Sequence, residues 1–265
     1  MVEATPATQT RPTDAARPLL EVAGLSKHYG ALVAVDNVSM RVADGEVRAV
    51  IGPNGAGKTT LFHLISGVVA PTAGEVRFQG EDITGLSAHA VCRRGLSRTF
   101  QLTSLFPEMT ARENVALAAQ ARDARRWLPF GGGEVFAGAR RRGDQVLDQL
   151  SLGAIADRPA GLLSHGDQRL LEVAMAMAQK PKVLILDEPT QGLSVEETAE
   201  AVDTLARLLQ QETLTVLLVE HDMEVVFRLA HRITVLHRGS VIADDVPEAV
   251  RADARVQEAY LGGMD

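Results

Sequence analysis

Short apolar runs punctuate this chain: EVRAVI at 46–51, VLILDE at 183–188, LTVLLVE at 214–220 and ITVL at 233–236. Runs with apolar side chains at successive positions suit strands buried on both faces. Between the later runs, residues 166–179, 195–210 and 222–230 suit helices. Alternation of strand and helix predicts right-handed crossovers and a largely parallel sheet. The opening of the chain reads differently. Leu19–Leu25 and Val38–Val42 suit strands, Asp44-Gly45 is a hairpin signal leading into Glu46–Ile51, and Pro71–Gly74 turns into a strand over Glu75–Phe78. That opening is β-rich with antiparallel character.

The middle of the chain is helical. Ser87–Gly95 suits a short helix, and Thr110 with Glu113 has the spacing of a capping box, so a helix should begin at Thr110. Residues 122–145, RDARRWLPFGGGEVFAGARRRGDQ, hold two arginine clusters and the only Trp. They read either as a solvated excursion or as a surface facing a partner or lipid headgroups. A helix to about Leu150, a connector over Gly153–Gly161, an Arg238-Gly239 turn, a strand at Val241–Ala243 and a helical tail over 246–262 complete the chain.

Composition narrows the function. Of 265 residues, 46% are apolar but only 4% aromatic, so the core must be built from Leu, Val, Ala and Ile. A net charge of −7 argues against nucleic acid as the main partner, because that binding needs a basic face. The single cysteine, Cys92, cannot form an internal disulfide. No apolar run approaches the roughly 18 residues of a membrane span. Residues 1–18 lack an apolar stretch of the secretory type and read as a disordered tail.

The chemistry begins at Gly52–Thr59, GPNGAGKT, which has the G-x-x-x-x-G-K-T spacing of a nucleotide-phosphate loop between a strand and a helix. Gly52, Gly55 and Gly57 permit the tight turn and let backbone N–H groups face phosphate oxygens. The following helix N-terminus favours an anion. Lys58 adds a full charge, and the Thr59 hydroxyl can ligate Mg²⁺. Asn54, Ala56 and Thr60 complete the candidate phosphate contacts. A second constellation closes VLILDE: Asp187, at a strand's C-terminal end, can hold Mg²⁺, and Glu188 can act as general base toward water. A third, Leu163-Ser164-His165-Gly166-Asp167-Gln168, precedes a helix. Ser164 reads as its N-cap, or with Gly166 as an anion site.

An L-S-x-G-x-Q motif about twenty residues before an apolar strand ending in Asp-Glu resembles the ATP-binding-cassette (ABC) ATPases. The resemblance covers about Leu19 to Gly262. It implies an α/β phosphate-loop fold with a mainly parallel core sheet, an N-terminal antiparallel β subdomain and an inserted helical subdomain over about 102–180. It implies that Tyr29 stacks on adenine, against the alternative of a core tyrosine, that Gln101 touches Mg²⁺ and water, and that His221 contacts the γ-phosphate. Ser164, Gly166 and Gln168 would face the ATP of a second copy, head to tail. One position departs from the family pattern: Ser194 stands where an Asp usually ends the loop after D-E-P-T.

Arg98-Thr99-Phe100-Gln101, Leu105-Phe106, Met109-Thr110, Glu113-Asn114, the 122–145 stretch and VQEAYLG at 256–262 resemble the longer ATP-binding subunit of branched-chain amino-acid importers. That resemblance implies ATP and Mg²⁺ as cofactors, and a sister or identical cassette as partner. It further implies membrane permease subunits docking on residues 102–162, an indirect link to a solute-binding protein, and a place on the cytoplasmic face of the membrane. Importers of urea, short amides or aromatic acids, a lipopolysaccharide-type exporter, and soluble ATPases acting on ribosomes or DNA are the alternatives.

Overall fold

A computed structural model describes residues 18–99, 105–121 and 132–261. The opening of the chain forms a four-stranded antiparallel sheet of β1 (Leu20–Tyr29), β2 (Leu32–Val42), β4 (Ala73–Phe78) and β5 (Glu81–Asp82), in the order β2-β1-β4-β5. The second sheet has six strands. β3 (Val47–Ile51), β6 (Leu96–Arg98), β7 (Val183–Asp187), β8 (Thr215–Val219), β9 (Arg232–His237) and β10 (Ser240–Asp245) lie in the order β10-β9-β3-β8-β7-β6. All neighbours are parallel except β9 and β10, joined by the expected Arg238-Gly239 turn with φ of 48° and 85°.

The apolar runs are buried throughout because both faces of this sheet are covered. Ala49 and Ile51, Leu184 and Leu186, and Val216 and Leu218 enter one core. Val50, Val183, Ile185, Leu217 and Val219 enter a second, shared with β1, β2, β4 and helix α1 (Lys58–Ile65). Period-two alternation thus decides which core receives each residue. Polar Arg48 in the middle of β3 is 3% exposed. It is satisfied by Glu46 at 2.7 Å, Asp244 at 2.6 Å and Thr234 at 3.0 Å, which tie β3 to the β9–β10 hairpin.

The remaining helices are α2 (Ala88–Arg94), α3 (Ala111–Gln120), α4 (Gly132–Gln149), α5 (His165–Ala178), α6 (Val195–Gln211), α7 (Met223–Leu229), α8 (Pro247–Ala252) and α9 (Ala254–Leu261). The capping box at Thr110 and Glu113 starts α3 as the spacing predicts.

Three expectations need correction. Asp44-Gly45 is a turn but not a hairpin, since β2 and β3 enter different sheets. The Gly45 N–H donates to Thr215 Oγ1 at 2.8 Å, steering the chain toward β8. Residues 132–145 are the first part of α4 rather than an excursion. Val135, Ala139, Val146, Leu147 and Leu150 are buried, and together they outweigh the weak helix propensity of the glycines. The tail over 246–262 is two helices separated at Asp253, not one. β6, three residues long, was not anticipated at all. The 1–17 tail, residues 122–131 of the arginine-rich stretch, Gln101 and Gly262 lie outside the described residues.

Candidate functional site

Parallel strands bring their C-terminal ends to one edge of a sheet, where open α/β folds place ligands. Here β3, β8, β7 and β6 are neighbours, so four connections open on the same edge: the glycine loop after β3, His221 after β8, Asp187-Glu188 at the end of β7, and Thr99 after β6.

In the glycine loop, Gly52 has φ 150° and an added Cβ would lie 2.1 Å from the Leu236 carbonyl oxygen. At Gly57, φ is 101° and a Cβ would lie 2.4 Å from the Ala34 carbonyl oxygen. Close backbone packing, as well as the turn itself, therefore demands glycine at both positions. Gly57 is the N-cap of α1 and provides no side-chain cap, and the first turn holds no acid. The N–H groups that open α1 thus face an edge with a positive dipole end and no internal competitor for an anion. Ala56 is buried and anchors the loop by accepting from Gly239 N–H at 3.0 Å, while Asn54, Gly55 and Thr59 are exposed.

Lys58 folds back over this loop, its Nζ donating to the Gly52 and Pro53 carbonyls at 2.6 and 3.1 Å. Burial lowers its pKa, and the nearby Glu188 carboxylate opposes the shift. The C-terminal helix reaches the same place: although Tyr260 as a whole is 36% exposed, burial around its phenol pushes the pKa up to about 12, partly offset by the Gly52 N–H.

Asp187 is 3% exposed. Its Oδ2 accepts from Arg98 Nη2 at 2.5 Å, its backbone N–H donates to Thr99 Oγ1 at 3.2 Å, and its buried Oδ1 has no hydrogen-bond partner among the described residues. Glu188 has φ 50°, a strained value for a residue with a side chain, and is held there by its N–H bond to the Val219 carbonyl at 2.9 Å. Its Oε1 lies 2.8 Å from His221 Nε2. Glu188 is mostly buried and His221 half exposed, so the pair stands at the rim. A cleft of about 480 Å³ opens beside them, walled by Thr190, Leu193, Val195 and Val225. His63, on α1, has its pKa lowered by burial and by Arg98, with Asp187 opposing.

Other candidates lie further off. Tyr29 is 48% exposed, which excludes the core reading, and Lys27 Nζ stands 5.1 Å from its ring centroid. Its hairpin touches the glycine loop through Ala34. Ser164 caps α5 by accepting from Asp167 N–H at 3.1 Å. Gln168 donates to the Ala160 and Leu163 carbonyls, and Gly166 N–H donates to Glu197 Oε1 at 3.3 Å. Among the described residues, these three bond within their own neighbourhood rather than to the 52–60 loop. Thr60, on α1, is half-buried.

Sequence reasoning gave no role to Arg98, which it noted only as part of a family-like run, and none to Glu197 or Glu220. The Ser194-x-x-Glu197 spacing was a readable signal, since it forms a capping box that starts α6. It gives Ser194 a local role that an Asp could also fill.

A family model described as ABC transporter matches residues 35–191, and these contain the glycine loop, Ser164–Gln168 and Asp187-Glu188. The chain belongs to the ABC transporter family. It is an ABC-type ATPase, and a second model, described as branched-chain amino acid ATP-binding cassette transporter, matches residues 240–265. The high-affinity branched-chain amino acid transport ATP-binding protein BraF of Pseudomonas aeruginosa is 42% identical over 254 residues, spanning 93% of this chain and 98% of that protein. LivG of Escherichia coli, of the same description, is 40% identical over 253 residues, with 93% and 98% covered. Among solved structures, a nucleotide-free ATP-binding cassette from an ABC transporter superposes with a TM-score of 0.80 at 28% identity, covering 92% of this chain and 99% of that one. No helix among the described residues of this ABC ATPase is long and apolar enough to cross a membrane.

Proposed function

We propose that this ABC ATPase drives import of branched-chain amino acids as one half of a head-to-tail pair of cassettes. The observation that carries its hydrolytic role is the convergence of the glycine loop, Asp187, Glu188 and His221 on adjacent strand ends, with Glu188 Oε1 2.8 Å from His221 Nε2. The match of residues 240–265 and the likeness to BraF and LivG support the solute.

In this reading Tyr29 stacks on adenine, and the amides of residues 54–60 with Lys58 hold the phosphates. Lys58 must leave the Gly52 and Pro53 carbonyls to do so, exchanging neutral acceptors for charged ones. Glu188 takes a proton as water attacks the γ-phosphorus and the bond to the ADP oxygen breaks. His221 orients that carboxylate and reaches the γ-phosphate. Asp187 Oδ1, buried and without a hydrogen-bond partner among the described residues, is a hard oxygen donor of the kind Mg²⁺ accepts, and Asp187 with the Thr59 hydroxyl and Gln101 would hold the ion. When bound, Mg²⁺ supplies neutralisation of charge developing on the phosphates. Ser164, Gly166 and Gln168 of a second cassette, sister or identical, cover the other side of the γ-phosphate. Glu197 must then give up the Gly166 N–H. Permease subunits dock on the helical region after Gln101 at the cytoplasmic face, and a solute-binding protein acts through them.

Glu188→Gln tests the hydrolytic assignment. It should keep ATP binding, trap a closed dimer and lower turnover by about 10²-fold or more, the usual contribution of a positioned general base. Undiminished ATPase activity refutes the role. For the solute, reconstitution with the membrane subunits should show ATPase stimulation by a branched-chain amino acid with its binding protein. Stimulation by another solute alone overturns that part.

A further inference from the structure

A buried carboxylate that the mechanism above does not use lies between the two catalytic loops. Glu220 follows β8, immediately before His221, and is 4% exposed. Its Oε1 accepts from the Thr190 N–H at 2.9 Å and from the Thr190 hydroxyl at 2.7 Å. Its Oε2 accepts from the His221 N–H at 3.1 Å. Thr190 belongs to the loop that begins at Glu188, whose carbonyl accepts from Gln191 N–H at 3.1 Å. One side chain therefore ties the segment bearing the general base to the backbone of the histidine facing it.

Three donors and no cation converge on Glu220 in these bonds. An ionised carboxylate can accept from all of them, and charge-assisted bonds are stronger than neutral ones. Glutamine cannot: with its carbonyl toward Thr190, its NH₂ would meet the His221 N–H, donor against donor. Glu188, at φ 50°, lies in a region where a residue relaxes unless its surroundings hold it, and the tether on Thr190 adds to the Val219 bond that holds it.

We propose that Glu220 is a positioning residue for hydrolysis, holding the Thr190 loop and His221 in the register that sets the 2.8 Å Glu188–His221 contact. The assignment rests on the proposed roles of Glu188 and His221. Glu220 acts through them and touches neither nucleotide nor reacting atoms.

The test is steady-state ATPase of the full chain, with fluorescent-ATP binding and thermal melting on the same preparations. Glu220→Gln should lower kcat by about 10-fold or more, since small misplacements of catalytic groups carry losses of up to 10²-fold, while KM and ATP affinity stay near wild type. Thr190→Ala, which removes one of the two bonds to Oε1, should lower kcat in the same way, and Thr190→Ser, which keeps both donors, should restore it. In a His221→Ala background Glu220→Gln should cost little more, because its effect runs through the histidine. A folded Glu220→Gln with wild-type kcat overturns the proposal, as does full additivity with His221→Ala. If Glu220→Gln fails to fold, the Thr190 pair decides: equal kcat for Thr190→Ala and Thr190→Ser overturns it. Glu188→Gln run alongside separates the two readings, since retained turnover there removes the general base itself.

Discussion

Removing Arg98 should expose how Asp187 is kept charged in the interior. The Arg98 side chain is 8% exposed and that of Asp187 1%, their atoms 2.5 Å apart, so both charges are taken out of water. Arg98→Met keeps most of the side-chain length and deletes the charge. Among the described residues, neither carboxylate oxygen of Asp187 then has a hydrogen-bond partner, because Oδ1 already lacks one. Breaking a buried pair from one side typically costs about 3–5 kcal/mol. At about 2–4 °C per kcal/mol for a chain of this size, the melting temperature should fall by about 6–20 °C. Calorimetry in EDTA near pH 8 measures this. A further arm tests the cause. Asp187→Asn added to Arg98→Met should recover much of the loss, since it removes the orphaned charge. A fall of less than about 2 °C, or no recovery by Asp187→Asn, refutes the reasoning, because the pair would then behave like a surface ion pair.

Gly57→Ala should destabilise more than Gly55→Ala in urea unfolding. Both have positive φ, at 101° and 76°, but only the Gly57 Cβ meets backbone, the Ala34 oxygen at 2.4 Å. The φ strain alone is worth about 1–3 kcal/mol, and equal losses would show that the Ala34 contact does not matter. His231 should make stability depend on pH. Its Nδ1 accepts from the Val47 N–H at 3.0 Å, and burial lowers its pKa, with Glu46 opposing. Its folded pKa is therefore below the unfolded one. The stabilisation is complete above the unfolded pKa of about 6.5 and is lost as pH falls toward the folded value, at up to about 1.4 kcal/mol per pH unit. His231→Asn keeps an acceptor without titrating, so its stability between pH 8 and 5 should fall less than wild type's; an unchanged slope assigns the effect elsewhere.

Much of this protein was legible along the chain. The runs at 183–188 and 214–220 marked themselves as central strands because a strand covered on both faces has no polar position to alternate with. The glycine loop, Asp187-Glu188 and the Thr110 and Arg238-Gly239 signals are local, and local chemistry is written in consecutive residues, whereas His221 was found only through the family resemblance. Failures came where neighbours in sequence were not neighbours in space. Asp44-Gly45 looked like a hairpin, yet β2 pairs with β1 and β3 with β8 and β9. The glycines of 132–145 weakened a helix that buried Val135 and Ala139 sustain from the tertiary side.

The opening loop illustrates the division. Residues 52–59 by themselves determined that a phosphate could be bound, since glycine, lysine and a helix start suffice for that. Only the strand order β3-β8-β7-β6 decided that Lys58 would feel Glu188, that Glu188 would face His221, and that Arg98 would neutralise Asp187 from 89 positions away. The physical reason is range. Backbone conformation and capping depend on residues a few positions apart, whereas buried charges are satisfied by whichever side chains the folded sheet brings to them.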